Sequence, residues 1–261
     1  ITSGVQNTII GSLAGDAMTI GNFNVALGVN ALSTSVDGDN NTAIGFAALE
    51  DYEDGDGNGN NTAVGAKSQT NATTGENNTS LGSHAFGVGV LTGDNNVAIG
   101  NNAAAALTSG SSNVVIGRDA GDALTTGIRN VAIGHAALTT EDTGGRNIAI
   151  GKSALQNLNA GADGYNVAIG DDAGLAMSTG TNNTVIGAKA GDALTSGGQN
   201  VAIGYQALSS EDANGTAVAV GYRALLTLNA GAQSYNVAVG YDAGLNVSTG
   251  VQNVVMGGLA G

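Results

Sequence analysis

The pentapeptide Asn130-Val131-Ala132-Ile133-Gly134 returns seventeen residues later as Asn147-Ile148-Ala149-Ile150-Gly151. Anchored on the closing glycine, fifteen such copies run from Gly11 to Gly257, spaced 17 to 20 residues apart and mostly 17. A short, nearly fixed period of this kind constrains the fold to a solenoid, in which each coil buries itself only against its neighbours. A longer period lies on top of it. Residues 113–182 and 183–252 agree at 42 of 70 positions, so a four-coil block has been duplicated. The expected organisation is a single repeat domain over 1–261, belonging to a longer fibre.

Positions within a coil alternate in the manner of a strand. Three before the closing glycine every copy has Val, Thr or Ile, and one before it every copy has Ile, Leu, Val or Met. The residue between them is usually Ala. Both faces of this strand are apolar, which predicts that both are covered. After the glycine come two variable residues, a nearly invariant Ala, then Gly or Leu, often with an apolar residue three further on. This segment reads as a second, weaker strand. Thr-Gly or Ser-Gly then precedes the next Asn. Glycine there is expected to supply a positive φ, and stacked Asn side chains to hydrogen-bond along the column. Asn130, Gly134, Asn147 and Gly151 are thus assigned to the turns. The reading is all-β, with about fifteen two-stranded coils. A three-sided hexapeptide helix is disfavoured, because six residues after Ile133 and Ile116 stand Thr139 and Asp122.

Composition agrees with a thin core. The chain has 44 glycines, no proline, no cysteine, no tryptophan and three phenylalanines. Its net charge of −14, from 21 acidic against 7 basic residues, argues against nucleic acid or an anionic membrane as partner, both of which need clustered Lys and Arg. No segment approaches the apolar length of a membrane span.

The repeated NVAIG at 130–134, 166–170 and 200–204, with turns such as TTG and STG, resembles the head repeats of YadA-type trimeric autotransporter adhesins and related phage tail-fibre repeats. The resemblance implies a left-handed parallel β-roll assembled as a parallel homotrimer. It places Val131, Ile133, Ile150, Val167, Ile169, Ile186, Val201 and Ile203 in each chain's own core. Ala132, Ala149, Ala168 and Ala202 would then face the trimer axis.

Residues able to carry chemistry are few. His84 and His135 stand in different coils, and the plainer reading of each is a surface turn residue. The acidic run around Asp51, Asp54 and Asp56 is a weak Ca²⁺ candidate without the order of a calcium loop, so no cofactor or metal is otherwise expected. Tyr165 and Tyr235, at the ends of two-residue turn insertions, are candidate ligand contacts. GVGVLTG at 87–93 lacks the Lys and helix of a phosphate loop. The functional expectation is not an enzyme. It is an extracellular fibre or adhesin segment on a bacterial surface or virion, a rigid trimeric rod presenting outer turns to a protein or glycan receptor. A monomeric solenoid binding ice or polysaccharide is the alternative.

Overall fold

The computed structural model describes residues 1–53 and 58–261, in two compact units, Ile1–Arg129 and Asn130–Gly261. Both are all-β parallel solenoids, and the described residues contain no helix. The first unit contributes strands β1 (Thr8–Ile10), β2 (Val25–Leu27), β3 (Thr42–Ile44), β4 (Thr62–Val64), β5 (Thr79–Leu81), β6 (Val97–Ile99) and β7 (Val114–Ile116). The second contributes β8 (Val131–Ile133), β9 (Ile148–Ile150), β10 (Val167–Ile169), β11 (Thr184–Ile186), β12 (Val201–Ile203), β13 (Val218–Val220), β14 (Val237–Val239) and β15 (Val254–Met256). Within each unit every strand pairs in parallel with the next along the chain. The register is fixed by position in the coil, so that Val167, Ala168 and Ile169 face Thr184, Val185 and Ile186.

The closing glycines explain why only glycine ends the strand. Their φ angles lie far to the positive side, +132° at Gly100 and +128° at Gly187. A Cβ on either would sit 2.6 Å from the carbonyl oxygen of the closing glycine one coil on. Both the backbone conformation and the coil spacing exclude a side chain here.

The expected second strand does not form. After the glycine the chain makes consecutive turns, with left-handed residues two and four positions on, as at Ala136 (φ 55°) and Leu138 (φ 53°). Coil-to-coil bonding continues nonetheless. The N–H of Leu138 donates to the carbonyl of Ala154 and that of Thr140 to Gln156. Alternation of left- and right-handed residues keeps the backbone satisfied without extending it. Glycine is the natural occupant of a left-handed site, and Gly121, Gly174 and Gly191 stand four after their closing glycines. Where leucine stands instead, at Leu32, Leu138, Leu155 and Leu208, its side chain is fully buried. A left-handed residue costs about 1–2 kcal/mol, offset by about 1.5–3 kcal/mol from burying leucine.

Volume is balanced inside each coil. Five coils with Gly or Ala at the fourth position bury a large side chain at the seventh, Met18, Leu107, Leu124, Met177 and Leu194, whereas the two coils lengthened by two residues bury leucine at both, Leu155 with Leu158 and Leu225 with Leu228. A Cβ on Gly191 would lie 2.8 Å from Leu194 Cδ1. In the 17-residue coils the two sites therefore share one cross-section of core, and only the longer coils have room for both.

The strand faces are the reverse of those implied by the resemblance. Ala132, Ala149, Ala168 and Ala202 are 0% exposed within the single chain. They form its own core, against the alanines and leucines of the turns. Val131, Ile133, Ile150, Val167, Ile186, Val201 and Ile203 point outward and are half-buried, and Ile169 is exposed. The cause is narrowness. A coil closed by tight turns has room for one small strand residue facing buried Leu or Met, so the β-branched pair is turned out.

Within each unit the asparagines form an internal ladder, interrupted in the second at Ala217. Asn183 is typical: its backbone N–H donates to Asn166 Oδ1 at 3.0 Å, and its own Oδ1 accepts from the Asn200 N–H at 2.9 Å. Its Nδ2 donates to the Gly197 carbonyl at 2.9 Å. Asn130 and Asn147 are likewise buried, with Asn130 Oδ1 accepting from the Asn147 N–H at 2.9 Å. The left-handed residue is the one before each Asn, as at Arg129, Arg146 and Asn182. The Thr-Gly glycine does not supply it. Gly180 has no positive φ, and its role is close approach, since a Cβ there would lie 2.6 Å from the Gly197 carbonyl.

Candidate assembly face

Turning the β-branched pairs outward gives each unit a flat aliphatic face, two side chains per coil in exact vertical register along β2–β7 and β8–β15. Some rungs are well exposed, Leu81 at 50% and Ile169 at 36% among them. Eight strands about 4.8 Å apart and roughly 10 Å long give the second unit a strip of about 340 Å². That alone is comparable with the largest apolar patch of a typical monomer.

Charge marks the same face. Take the strand, the two residues before it, the closing glycine and the residue after it. Over all fifteen coils these positions hold one carboxylate, Asp171, although the chain has 21 acidic residues. They also hold Arg118, Arg129, Arg146 and Lys152, four of the seven basic residues. Acidic groups are thus directed to the other turns. A face with a single carboxylate on a chain of net charge −14 is a face on which a like-charged surface can rest with little repulsion.

In the second unit an aromatic column borders the strip. Tyr205, Tyr222 and Tyr241 each follow a closing glycine, and their rings stack with centroids 5.5 and 5.0 Å apart. Beside them Arg223 lies 5.2 Å over the Tyr222 ring and donates two hydrogen bonds to Asp242, from Nε at 2.9 Å and Nη2 at 2.8 Å. Asp242 raises the Arg223 pKa further above its ordinary value, first through this hydrogen bonding. In the sequence Tyr205, Tyr222 and Tyr241 are surface tyrosines like Tyr165 and Tyr235, and nothing local marks the three as a stack. Their shared position, one residue after successive closing glycines, is the sequence signal that places them in one column. Tyr165 and Tyr235 are exposed on the opposite border, before the Asn. The Arg146 guanidinium stands 5.4 Å over the Tyr165 ring, donates to its hydroxyl at 3.0 Å and is paired with Asp163.

The other candidates supply no reactive constellation. His84 bonds the Ser83 hydroxyl at 2.9 Å in the first unit, and His135 is exposed in the second. Asp51 is exposed, while Asp54 and Asp56 lie outside the described residues. Among the described residues no three His, Asp or Glu side chains are placed to hold a metal. Glu141 is buried and accepts from the N–H groups of Gly144 at 2.8 Å and Ala160 at 3.2 Å. Desolvation raises its pKa over the opposing effect of those bonds. Its duplicate Glu211 is equally buried, with neither oxygen hydrogen-bonded. A shallow cleft of about 270 Å³ lies among Thr181, Gln199, Asn214 and Gln233 and holds no charged side chain.

Among the described residues no helix is long and apolar enough to cross a membrane. No family model, curated protein or solved structure matches the chain. What the geometry defines is a class: parallel β-solenoid units with an apolar, carboxylate-poor outer sheet face.

Proposed function

We propose that this chain is a segment of an extracellular fibre or adhesin head, built from three left-handed solenoids joined through their aliphatic faces. The face itself supports this reading, because it combines β-branched side chains with an almost complete lack of carboxylates. Burying about 340 Å² per copy contributes about 8 kcal/mol at ~25 cal/mol per Å², before the cost of association. The acidic turns stay outside, where repeated weak contacts along the fibre and across three chains give avidity for a protein or glycan receptor. The protein has no catalytic role in this reading, and its place is a bacterial surface or a virion.

The test compares the chain with a face variant, I133D/I150D/I203D, for retention on cells and on immobilised polysaccharide. Loss of multivalency predicts a drop in apparent affinity of about 10²-fold or more. Equal retention by an unassembled variant would contradict the fibre reading. One observation favours a monomeric surface-binding solenoid: Thr42, Thr62 and Thr79 stand in register on successive strands of the outward face. Thermal hysteresis in cold solution would establish that alternative.

A further inference from the structure

The strip in the second unit has two borders. After the closing glycine stand Tyr205, Tyr222 and Tyr241, between 40% and 56% exposed. At the same three levels, before the ladder position, stand the uncharged residues Gln199, Thr216 and Tyr235. Only Gly240 separates outward-facing Val239 from Tyr241, so aliphatic strip and aromatic column are continuous.

We infer that the tyrosine ladder is the seam between neighbouring copies of this chain. The inference rests on the assembly reading above and specifies its contacts. In a closed ring of identical subunits each interface is head-to-tail. The border that follows the strand in one copy therefore meets the border that precedes it in the next. The Tyr205–Tyr222–Tyr241 column then lies against the Gln199–Thr216–Tyr235 column of a second copy.

Three observations favour a second copy over a sugar. Both faces of the Tyr222 ring are covered by its neighbours, at interplanar angles of 17° and 7°, so a pyranose has no face there to stack on. The carboxylate beside the ladder, Asp242, is committed to Arg223 and cannot accept freely from sugar hydroxyls. Both facing columns are uncharged, as a desolvated aromatic contact requires. In the preceding block the same positions carry His135, Lys152 and Asp171, with Arg129, Arg146 and Tyr165 in the column before the Asn, so the aromatic seam is confined to the duplicated copy.

Tyrosine nitration by tetranitromethane, read peptide by peptide, tests the seam on the full chain. Assembled protein is compared with protein diluted below its assembly midpoint and with I203D. The expected result is ~10-fold or greater protection of Tyr222 in the assembly, as for a desolvated interface residue. Y205S/Y222S/Y241S should weaken assembly by ~10-fold or more with an unchanged circular dichroism spectrum, while Y222F should assemble almost normally. Equal nitration in a proven assembly would overturn the seam and leave the assembly reading standing. Failure to assemble at any concentration would overturn both. Glycan binding lost in the serine variant, with its assembly intact, would assign the ladder to a sugar and overturn the seam.

Discussion

The two units follow one coil rule with different fillings. In the second, strands begin with Val or Ile except at Thr184, the core is Ala, and Val at Val185, with Leu or Met, and the coils differ in length by no more than two residues. In the first, four of seven strands begin with Thr, and coils of 20 and 18 residues interrupt the period. The largest buried side chains of the molecule, Tyr52 and Phe86, lie in those irregular coils. The first unit also buries a polar cluster where alanine and leucine would stand. Ser68 and Ser80 hydroxyls meet at 2.5 Å, and Gln69 Nε2 donates to Ser80 Oγ at 2.9 Å. Backbone-determining positions, the closing glycine and the Asn rung, are common to both units, while side-chain chemistry varies around them. The comparison teaches that the solenoid is held by backbone spacing and the amide ladder, and that filling and borders are free to specialise.

If so, the glycines should cost the same in both units. G100A and G187A each place a Cβ 2.6 Å from the next coil's carbonyl. Each should destabilise its unit by ~3 kcal/mol or more, from strain plus overlap, measurable as a loss in denaturant midpoint. A cheap substitution in one unit alone would break the comparison.

The amide ladder makes the next prediction. Asn96 Oδ1 accepts from the Asn113 N–H at 2.9 Å and its Nδ2 donates to the Gly110 carbonyl at 2.9 Å, the same bonds as Asn183. N96A and N183A should each cost ~2 kcal/mol, mostly from groups left unpaired, with local loss of amide-exchange protection.

The one missing rung sharpens the point. Where Asn147 stands in the first block, Ala217 stands in the second, and Gly164 becomes Ser234. A Cβ on Gly164 would overlap Asn147 Oδ1, so the serine is accommodated only because the asparagine is absent. A217N alone should destabilise by ~1–3 kcal/mol, and A217N/S234G should recover most of it. A double-mutant cycle with no coupling would contradict this account.

The smallest effect concerns the polar cluster. Gln69 Oε1 is buried without a partner. S68A/Q69L/S80A should therefore raise the stability of the first unit by about 1 kcal/mol, bringing its filling closer to that of the second.

Much of this was legible in the residues. The three-residue strands end one residue before the closing glycine, where the period and the β-branched pairs placed them, and the Asn column bonds along its length. The faces were not legible. Alternation shows that Ala132 and Val131 oppose one another but not which is inside, and the side implied by the family resemblance is the reverse of the one the fold adopts. That choice depends on coil width, which is set by the left-handed turns. Those turns were hidden because leucines such as Leu138 and Leu155 rarely take a positive φ, and only their burial within a closed coil makes it favourable. The stacking of Tyr205, Tyr222 and Tyr241 was not legible because they are seventeen and nineteen residues apart and meet only when coils stack.

The central claim is that the outward Val/Ile face is an interface between copies of this chain. Light scattering coupled to size exclusion, on the intact chain without denaturant and beside I133D/I150D/I203D, tests it most directly. The account predicts the mass of three 25.2 kDa chains for the parent and of one for the variant. A single-chain mass for the parent at every concentration, with its solenoid spectrum intact, would contradict it.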